Sequence, residues 1–153
     1  MPKIDIYNLP IEAGTNYPAE FQDAVAGRER RRLGNAAGLD QFGVNLTRLK
    51  PGSASSLRHW HVVEDEFVFV LEGELVLVEE GTETVLRLGD AAGFKANSGN
   101  GHHLINRSEC DAVYLEIGTR SAYERAYYCD VDLIAERDER GLRFLRRSGE
   151  SAS

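Results

Sequence analysis

The sequence has few cysteines and no long apolar segment. Its apolar runs, such as residues 67–71, are far shorter than the ~20 residues of a membrane-spanning helix. Residues 1–5 lack the apolar stretch of a secretory signal, and no CxxC pair accompanies the two cysteines, Cys110 and Cys129. We therefore expect a cytoplasmic protein with two free thiols and no membrane partner.

Basic residues are in the minority. Eighteen Lys and Arg oppose 25 Asp and Glu, which gives a formal net charge of −7. Nucleic acid is thereby disfavoured as a partner, because phosphate backbones bind basic surfaces. One compact exception is the basic run at residues 28–32. It suits either an anion or nucleic-acid patch or, as we favour, a solvated face with surface ion pairs.

Helical periodicity is missing between residues 41 and 118. Short apolar runs alternate there with glycine-containing turns about every ten residues, a spacing that predicts an antiparallel all-β sandwich or barrel. The predicted strands are residues 42–49, 58–63, 66–71, 74–78, 83–88, 91–94, 102–106 and 112–117.

Two extensions flank this predicted barrel. In residues 1–40, which pack on the barrel or on a partner, we expect extended chain at residues 4–9 and a short helix at residues 19–26. Residues 119–153 are expected to pack Tyr123, Tyr127 and Tyr128 onto the barrel exterior and to add a last strand at residues 142–145. The sequence thus predicts one domain with two extensions.

The predicted strand at residues 66–71 is apolar on both faces. Val68 and Val70 share the face of Glu66, whereas Phe67, Phe69 and Leu71 occupy the other face. A strand with two apolar faces is expected to be buried on both. A small barrel has only one interior, so a terminal segment or a second subunit must cover the outer face, and we predict a homodimer.

All four histidines fall in two short segments. His59 and His61 are two residues apart, so on a strand both imidazoles point to one face and can converge on one metal ion. Glu66 starts the next predicted strand and can turn back toward them. A distant strand adds His102, while His103 points to the opposite face of that strand.

Three imidazoles and one carboxylate form a mixed nitrogen and oxygen donor set. Such a set suits Fe, Mn, Zn, Ni or Cu better than Mg or Ca. Four protein ligands on an octahedral ion leave two positions for water, substrate or dioxygen, whereas they nearly saturate a tetrahedral zinc ion. We therefore expect one divalent transition metal as cofactor.

The spacing of these residues resembles the two conserved motifs of the cupin superfamily. The stretch from Gly52 through His59, His61 and Glu66 to Gly73 is similar to the first motif, and residues 89–106, which contain His102 and Asn106, are similar to the second. The resemblance covers residues 41–118 and implies a double-stranded β-helix, or jelly roll. It also implies that the metal ligands are His59, His61, Glu66 and His102.

The chain departs from these motifs in three places. Six residues instead of five separate Gly52 from His59, Lys95 stands where proline is usual, and Asn97 stands where glycine is usual. These positions shape loops and the pocket rim and do not bind metal. Glu64 and Asp65 are alternative carboxylates for the metal, less well matched to the motif spacing.

Five further residues are candidates for the pocket wall or for orienting the ligands: Arg48, Lys95, Asn106, Tyr114 and Glu116. Each also has a structural interpretation, such as a solvent-facing lysine for Lys95, a core residue for Tyr114 or a turn-end polar group for Asn106. We expect a small-molecule metalloenzyme of dioxygenase or of isomerase or lyase type. The alternative is a non-catalytic module that binds a metal or a small molecule, since one fold hosts many activities.

Overall fold

The computed structural model describes residues 2–152, and strands dominate this part of the chain. Helical structure is limited to two 3₁₀ helices, Ile6–Asn8 and Ala19–Val25, and the single α-helical turn α1, Leu33–Ala36. Within the described residues, no helix is long and apolar enough to cross a membrane. The strands are β1 (Glu12–Ala13), β2 (Arg28–Arg32), β3 (Phe42–Leu49), β4 (His59–His61), β5 (Glu66–Glu72), β6 (Glu74–Glu79), β7 (Thr82–Arg87), β8 (Ala91–Phe94), β9 (His103–Ile105), β10 (Ala112–Thr119), β11 (Glu124–Tyr128), β12 (Ile134–Asp138) and β13 (Gly141–Leu145).

The strands form antiparallel sheets around a shared interior. The larger sheet has the order β1-β2-β3-β10-β5-β8, and the smaller sheets have the orders β13-β12-β11-β4 and β7-β6-β9. An isolated bridge between His59 and His102 connects the two smaller sheets through backbone hydrogen bonds of 2.9 and 3.2 Å. The predicted all-β, double-stranded β-helix is confirmed.

Strand alternation places the core. Along β3, Thr47 and Leu49 are fully buried, and Arg48 between them faces outward. The larger apolar cluster fills the interior between the sheets, and the smaller cluster lies where the N- and C-terminal segments meet. The first comprises Leu49, Val68, Val70, Leu75, Leu77, Leu86, Leu104, Ala112 and Tyr114, and the second comprises Tyr17, Val25, Ala126, Tyr128, Leu133, Ala135 and Ala152.

Both terminal segments contribute strands to the sheets. β2 pairs with β3 along its whole length, and β11 pairs with β4, so that Tyr128 lies opposite His59. Tyr128 lines the inner cavity, with its ring centroid 5.5 Å from that of His59, so the expectation that it packs on the exterior is wrong. The reason is alternation along β11, which turns Tyr127 outward against Trp60 and Tyr128 inward.

The extended chain expected at residues 4–9 is also wrong in part. The 3₁₀ helix Ile6–Asn8 lies there, and the Asn8 side chain donates a hydrogen bond to the Asp5 carboxylate at 2.7 Å. The Asn8 backbone amide also donates to the Asp5 carbonyl oxygen at 3.2 Å, which closes a turn in place of a strand. The predicted helix at residues 19–26 is present as the 3₁₀ helix Ala19–Val25.

Gly73 connects β5 to β6 in a conformation and a space that only glycine fits. Its φ of 76° lies in the left-handed region, and a Cβ there would come 2.6 Å from the carbonyl oxygen of Asp111. Gly81 has a similar φ of 67°, but nothing lies within 4 Å of its Cβ position. Comparing substitutions at these two glycines therefore distinguishes the cost of left-handed backbone from the cost of steric overlap.

We predict that Gly73→Ala lowers the free energy of unfolding by more than Gly81→Ala. Left-handed φ in a non-glycine residue costs about 1–3 kcal/mol at either position, and only Gly73→Ala adds a clash with backbone. Chemical denaturation of the two variants measures the difference. Equal losses of stability would contradict the close approach to Asp111.

Candidate metal centre

β4 presents two histidines to the interior. His59 and His61 share the inner face, and their Nε2 atoms are 3.1 Å apart. Trp60, between them, points outward and stacks on Tyr127 with ring centroids 4.9 Å apart. The pairing of β4 with β11 holds this orientation.

Glu66 and His102 complete the cluster from two other parts of the chain. The Glu66 carboxylate lies 3.2 Å from His61 Nε2 and 3.9 Å from His59 Nε2. His102 Nε2 lies 2.7 Å from the same carboxylate. An ion with bonds of about 2.1 Å holds neighbouring ligand atoms about 3.0–3.4 Å apart. The donor atoms of His59, His61 and Glu66 all lie within 4.8 Å of one another and are close enough to share one ion, while His102 contacts this group through Glu66.

Contacts outside the cluster fix the orientation of the His59 and His102 rings. His59 Nδ1 is 2.8 Å from the carbonyl oxygen of Leu57, which only accepts, so this nitrogen carries the proton and Nε2 keeps a free lone pair. His102 stacks on Phe94 with ring centroids 3.6 Å apart. Both rings are thus held in place for a metal by contacts outside the cluster.

Burial and the carboxylate set the charge of the cluster. Burial, only partly offset by Glu66, lowers the pKa of His59 to about 4 and keeps this ring neutral, as a ligand must be. Burial disfavours charge on His61 and Glu66 as well. At Glu66 the hydrogen bonds from His102 and His61 outweigh burial, and at His61 the Glu66 carboxylate does. The pKa of His61 is raised, and that of Glu66 falls well below its usual value. The buried carboxylate therefore favours a cation beside it.

The alternative carboxylates have other partners. Glu64 accepts from the Ser121 amide at 2.8 Å and pairs with Arg137 at 2.7 Å, while an Asp65 oxygen accepts from the Ala96 amide. The donor atoms of Glu64, Glu124 and His61 also come within 4.8 Å of one another. The bonds already made by Glu64 leave it less free to bind metal than Glu66.

Glu124 fixes the loop between the two ligand strands. Its carboxylate accepts hydrogen bonds from the backbone amides of Val62, Val63 and Glu64 at 2.6–3.1 Å. It also lies 3.8 Å from Nδ1 of His61. The sequence pattern did not single out Glu124, because the residue comes from the C-terminal segment and meets the histidine strand only through the β4–β11 pairing.

A cavity of about 720 Å³ opens onto the cluster. Of the five further candidates, Tyr114 and Glu116 line it, since both lie on the inner face of β10. Side chains from the terminal segments that sequence reasoning did not place here also line it, notably Tyr17, Arg28, Arg30, Tyr128 and Arg137.

Three of the predicted pocket residues lie elsewhere. Arg48 is on the outer face of β3, where it pairs with Asp111 at 3.4 Å, because its neighbours Thr47 and Leu49 take the inward positions. Asn106 is fully buried and donates to the carbonyl oxygens of Leu49 and Cys110, which makes it a loop anchor. Lys95 is exposed and lies outside the main cavity.

The basic run is not the solvated face that the sequence favoured. It forms β2, and alternation sends Arg28, Arg30 and Arg32 to the cavity side, while Arg31 faces outward. Arg28 is only 6% exposed, and its guanidinium donates to the carbonyl oxygens of Ser55 and Gly14.

Asn97 adopts the conformation that the usual glycine of the second motif suggests. Its φ is 60°, the one positive value at a non-glycine residue among residues 2–152. Asparagine tolerates this left-handed region better than most residues. Its amide donates to the carbonyl oxygen of His61 at 2.7 Å, so the altered loop still supports the histidine strand.

This fold and this cluster define a class of protein: a double-stranded β-helix with three histidines and a glutamate at the inner end of its cavity. A family model described as a cupin domain matches residues 45–118. A sugar phosphate isomerase of the cupin superfamily from Silicibacter pomeroyi is 45% identical, with a TM-score of 0.96 over 99% of this chain and 97% of that one. The chain belongs to the cupin superfamily.

Two further solved structures are similar over most of the chain. A putative sugar phosphate isomerase from Acidithiobacillus ferrooxidans is 27% identical, with a TM-score of 0.75 over 82% of this chain and 80% of that one. The polyketide cyclase RemF from Streptomyces resistomycificus is 19% identical, with a TM-score of 0.64 over 78% and 79%, and shares the fold. No protein of curated function matches the sequence significantly.

We predict that His59→Ala abolishes metal binding, because it removes a ligand whose lone pair faces the cluster. The matched control is His103→Ala, since His103 Nδ1 contacts the carbonyl oxygen of Ser56 at 2.8 Å and the ring lies outside the cluster. Metal analysis should give about one ion per chain for the wild type and the control. Undiminished metal in the His59 variant would refute the assignment.

Proposed function

We propose that this protein is a metal-dependent isomerase of a small phosphorylated sugar. The observation that carries the proposal is the cluster of His59, His61 and Glu66, with His102 bound to Glu66, which opens onto a cavity large enough for a small ligand. The 45% identical relative described as a sugar phosphate isomerase supports this chemistry over a dioxygenase. Iron, manganese, zinc and nickel all suit the donor set.

The bound ion would polarise a carbonyl or hydroxyl oxygen of the sugar. The chain must then supply a base that moves a proton between neighbouring carbons, and Glu116 is our candidate. Gly118 is the Cα partner of Glu66 across β5 and β10, so Glu116 lies two residues, about 7 Å, further along the same inner face. Thr47 donates to its carboxylate at 3.4 Å, and Arg30 pairs with it at 3.5 Å.

These contacts fit a carboxylate that exchanges protons with a ligand. Glu116 lines the cavity with its side chain 25% exposed, and its two polar contacts are long. A structural carboxylate such as Glu124, in contrast, receives several short backbone hydrogen bonds. Glu116 is thus free to face substrate.

We predict that Glu116→Gln lowers kcat for sugar phosphate isomerisation by about 100-fold or more, because a general base is lost. Metal content should not change, since Glu116 is not in the cluster. Proton NMR in D₂O, with metal-loaded protein and a panel of pentose and hexose phosphates, measures turnover and deuterium uptake at the carbon next to the carbonyl.

The outcome separates the competing functions. Oxygen consumption without isomerisation would favour a dioxygenase. Full metal occupancy and ligand binding without any turnover would favour the non-catalytic binding module. Isomerisation at the wild-type rate in Glu116→Gln would exclude Glu116 as the base and leave the metal site unaffected.

The predicted homodimer would cover the outer face of the larger sheet. Phe67 and Leu71 are 41% and 39% exposed on β5, and Ile117 lies beside Phe67 on β10. Within the described residues the chain does not bury this apolar face, in contrast to the opposite one, where Val68 and Val70 are buried. A contiguous apolar surface of this kind favours association with a second copy.

We predict a dimeric mass in solution and a monomeric mass for Phe67→Asp, because a charge on the apolar face opposes association. Leu88→Asp is the control, since Leu88 is 70% exposed but lies outside this sheet. Sedimentation velocity measures both. A monomeric wild type would refute the dimer. The dimer, the cytoplasmic location and the division of the chain into a barrel (41–118) and two extensions (1–40 and 119–153) stay predictions.

A further inference from the structure

Four arginines line the cavity of this acidic protein, and three of them have close partners. Arg28 donates to backbone carbonyl oxygens at 2.6 and 3.2 Å. Arg32 pairs with Glu12 at 2.5 Å, and Arg137 pairs with Glu64 at 2.7 Å. These three guanidinium groups fix the terminal segments and loops to the barrel.

Arg30 is different. Its side chain is 20% exposed, its ion pair with Glu116 is long at 3.5 Å, and its buried Nε has no hydrogen-bond partner among residues 2–152. The Nε of Arg31 has none either, but only Arg30 of these two lines the cavity. Buried donors in native proteins are nearly always paired, so one without a partner requires an explanation. A ligand in the cavity supplies one.

Tyr114 adds a second unpaired donor to the same wall. Its side chain is 1% exposed and lines the cavity, and its hydroxyl, which neighbours the Thr47 side chain, makes no hydrogen bond of good geometry within the described part of the chain. The register pairs Tyr114 with Thr47 and Thr47 with Arg30, so the two residues lie on one row across three strands. Burial raises the pKa of Tyr114, so its hydroxyl keeps the proton and can donate.

The position of this row suits the far end of a substrate. β2 is three strands away from β5, which carries Glu66, a separation of about 14 Å. The Arg30 guanidinium reaches back to Glu116 on β10, and both side chains line the same cavity as the histidine cluster. A short polyol chain spans a gap of this kind.

We infer that Arg30 and Tyr114 form an anion subsite that holds the phosphate group of the substrate while its reacting end lies at the histidine cluster. The inference rests on the proposed function for the identity of the substrate, but not for the existence of the subsite. A guanidinium offers forked, charged donors that match phosphate oxygens, and the tyrosine hydroxyl adds a neutral one.

The test measures anion binding in metal-free protein, so neither the ion nor turnover affects it. Inorganic phosphate and ribose 5-phosphate are titrated by phosphorus NMR and calorimetry into the wild type, Arg30→Gln and Arg31→Gln. We expect Arg30→Gln to weaken binding of both by about tenfold or more. Arg31→Gln, on the outer face of the same strand, should bind like the wild type.

Two further variants guard against misfolding. Arg30→Lys keeps the charge but loses the fork, and should bind with intermediate affinity. Tyr114→Phe keeps the ring in the core and should weaken binding several-fold. Thermal unfolding and circular dichroism identify any variant that fails to fold. The phosphate affinities of the folded variants then decide whether the subsite exists.

Several results would overturn the subsite. They are wild-type affinity in Arg30→Gln, no binding of phosphate compounds to the wild type, and tighter Arg30-dependent binding of glucuronate, a carboxylate, than of ribose 5-phosphate. Arg30-dependent phosphate binding without any isomerisation would keep the subsite and reject the isomerase. Isomerisation with an unchanged KM in Arg30→Gln would keep the isomerase and reject the subsite.

Discussion

One electrostatic constraint underlies the site: the Glu66 carboxylate lies inside the barrel, among three imidazoles, and requires positive charge beside it. Burial in low dielectric disfavours an isolated carboxylate, and hydrogen bonds from His102 and His61 hold the pKa of Glu66 well below its usual value. In our proposal a divalent cation meets it better, because all four side chains would share it. The turns, sheets and loops described above bring these donors together.

Much of this could be predicted from local patterns. The i and i+2 spacing of His59 and His61 fixes a common face on any strand, and alternation places Glu66 with Val68 and Val70 on the inner side of β5. The strands from 42–49 to 112–117 follow from glycine turns and apolar runs, and their ends shift by only one or two residues. The spacing of the histidines, Glu66 and the flanking glycines then indicated the cupin superfamily.

The remaining features depend on contacts between distant segments, which local patterns do not contain. Arg28 and Arg30 form part of a charged run that is indistinguishable from a solvated face until β2 is paired with β3. Tyr128 turns inward only because β11 pairs with the histidine strand. Arg48 was placed in the pocket wrongly because alternation alone does not say which of two faces is inward.

The most direct test of the central claim is a crystal structure with anomalous diffraction data collected on both sides of the absorption edge of the metal found in the purified protein. The account predicts a single anomalous peak within about 2.0–2.3 Å of His59 Nε2, His61 Nε2, His102 Nε2 and a Glu66 oxygen. A metal bound elsewhere, or bound without these four atoms in metal-loaded protein, would contradict it.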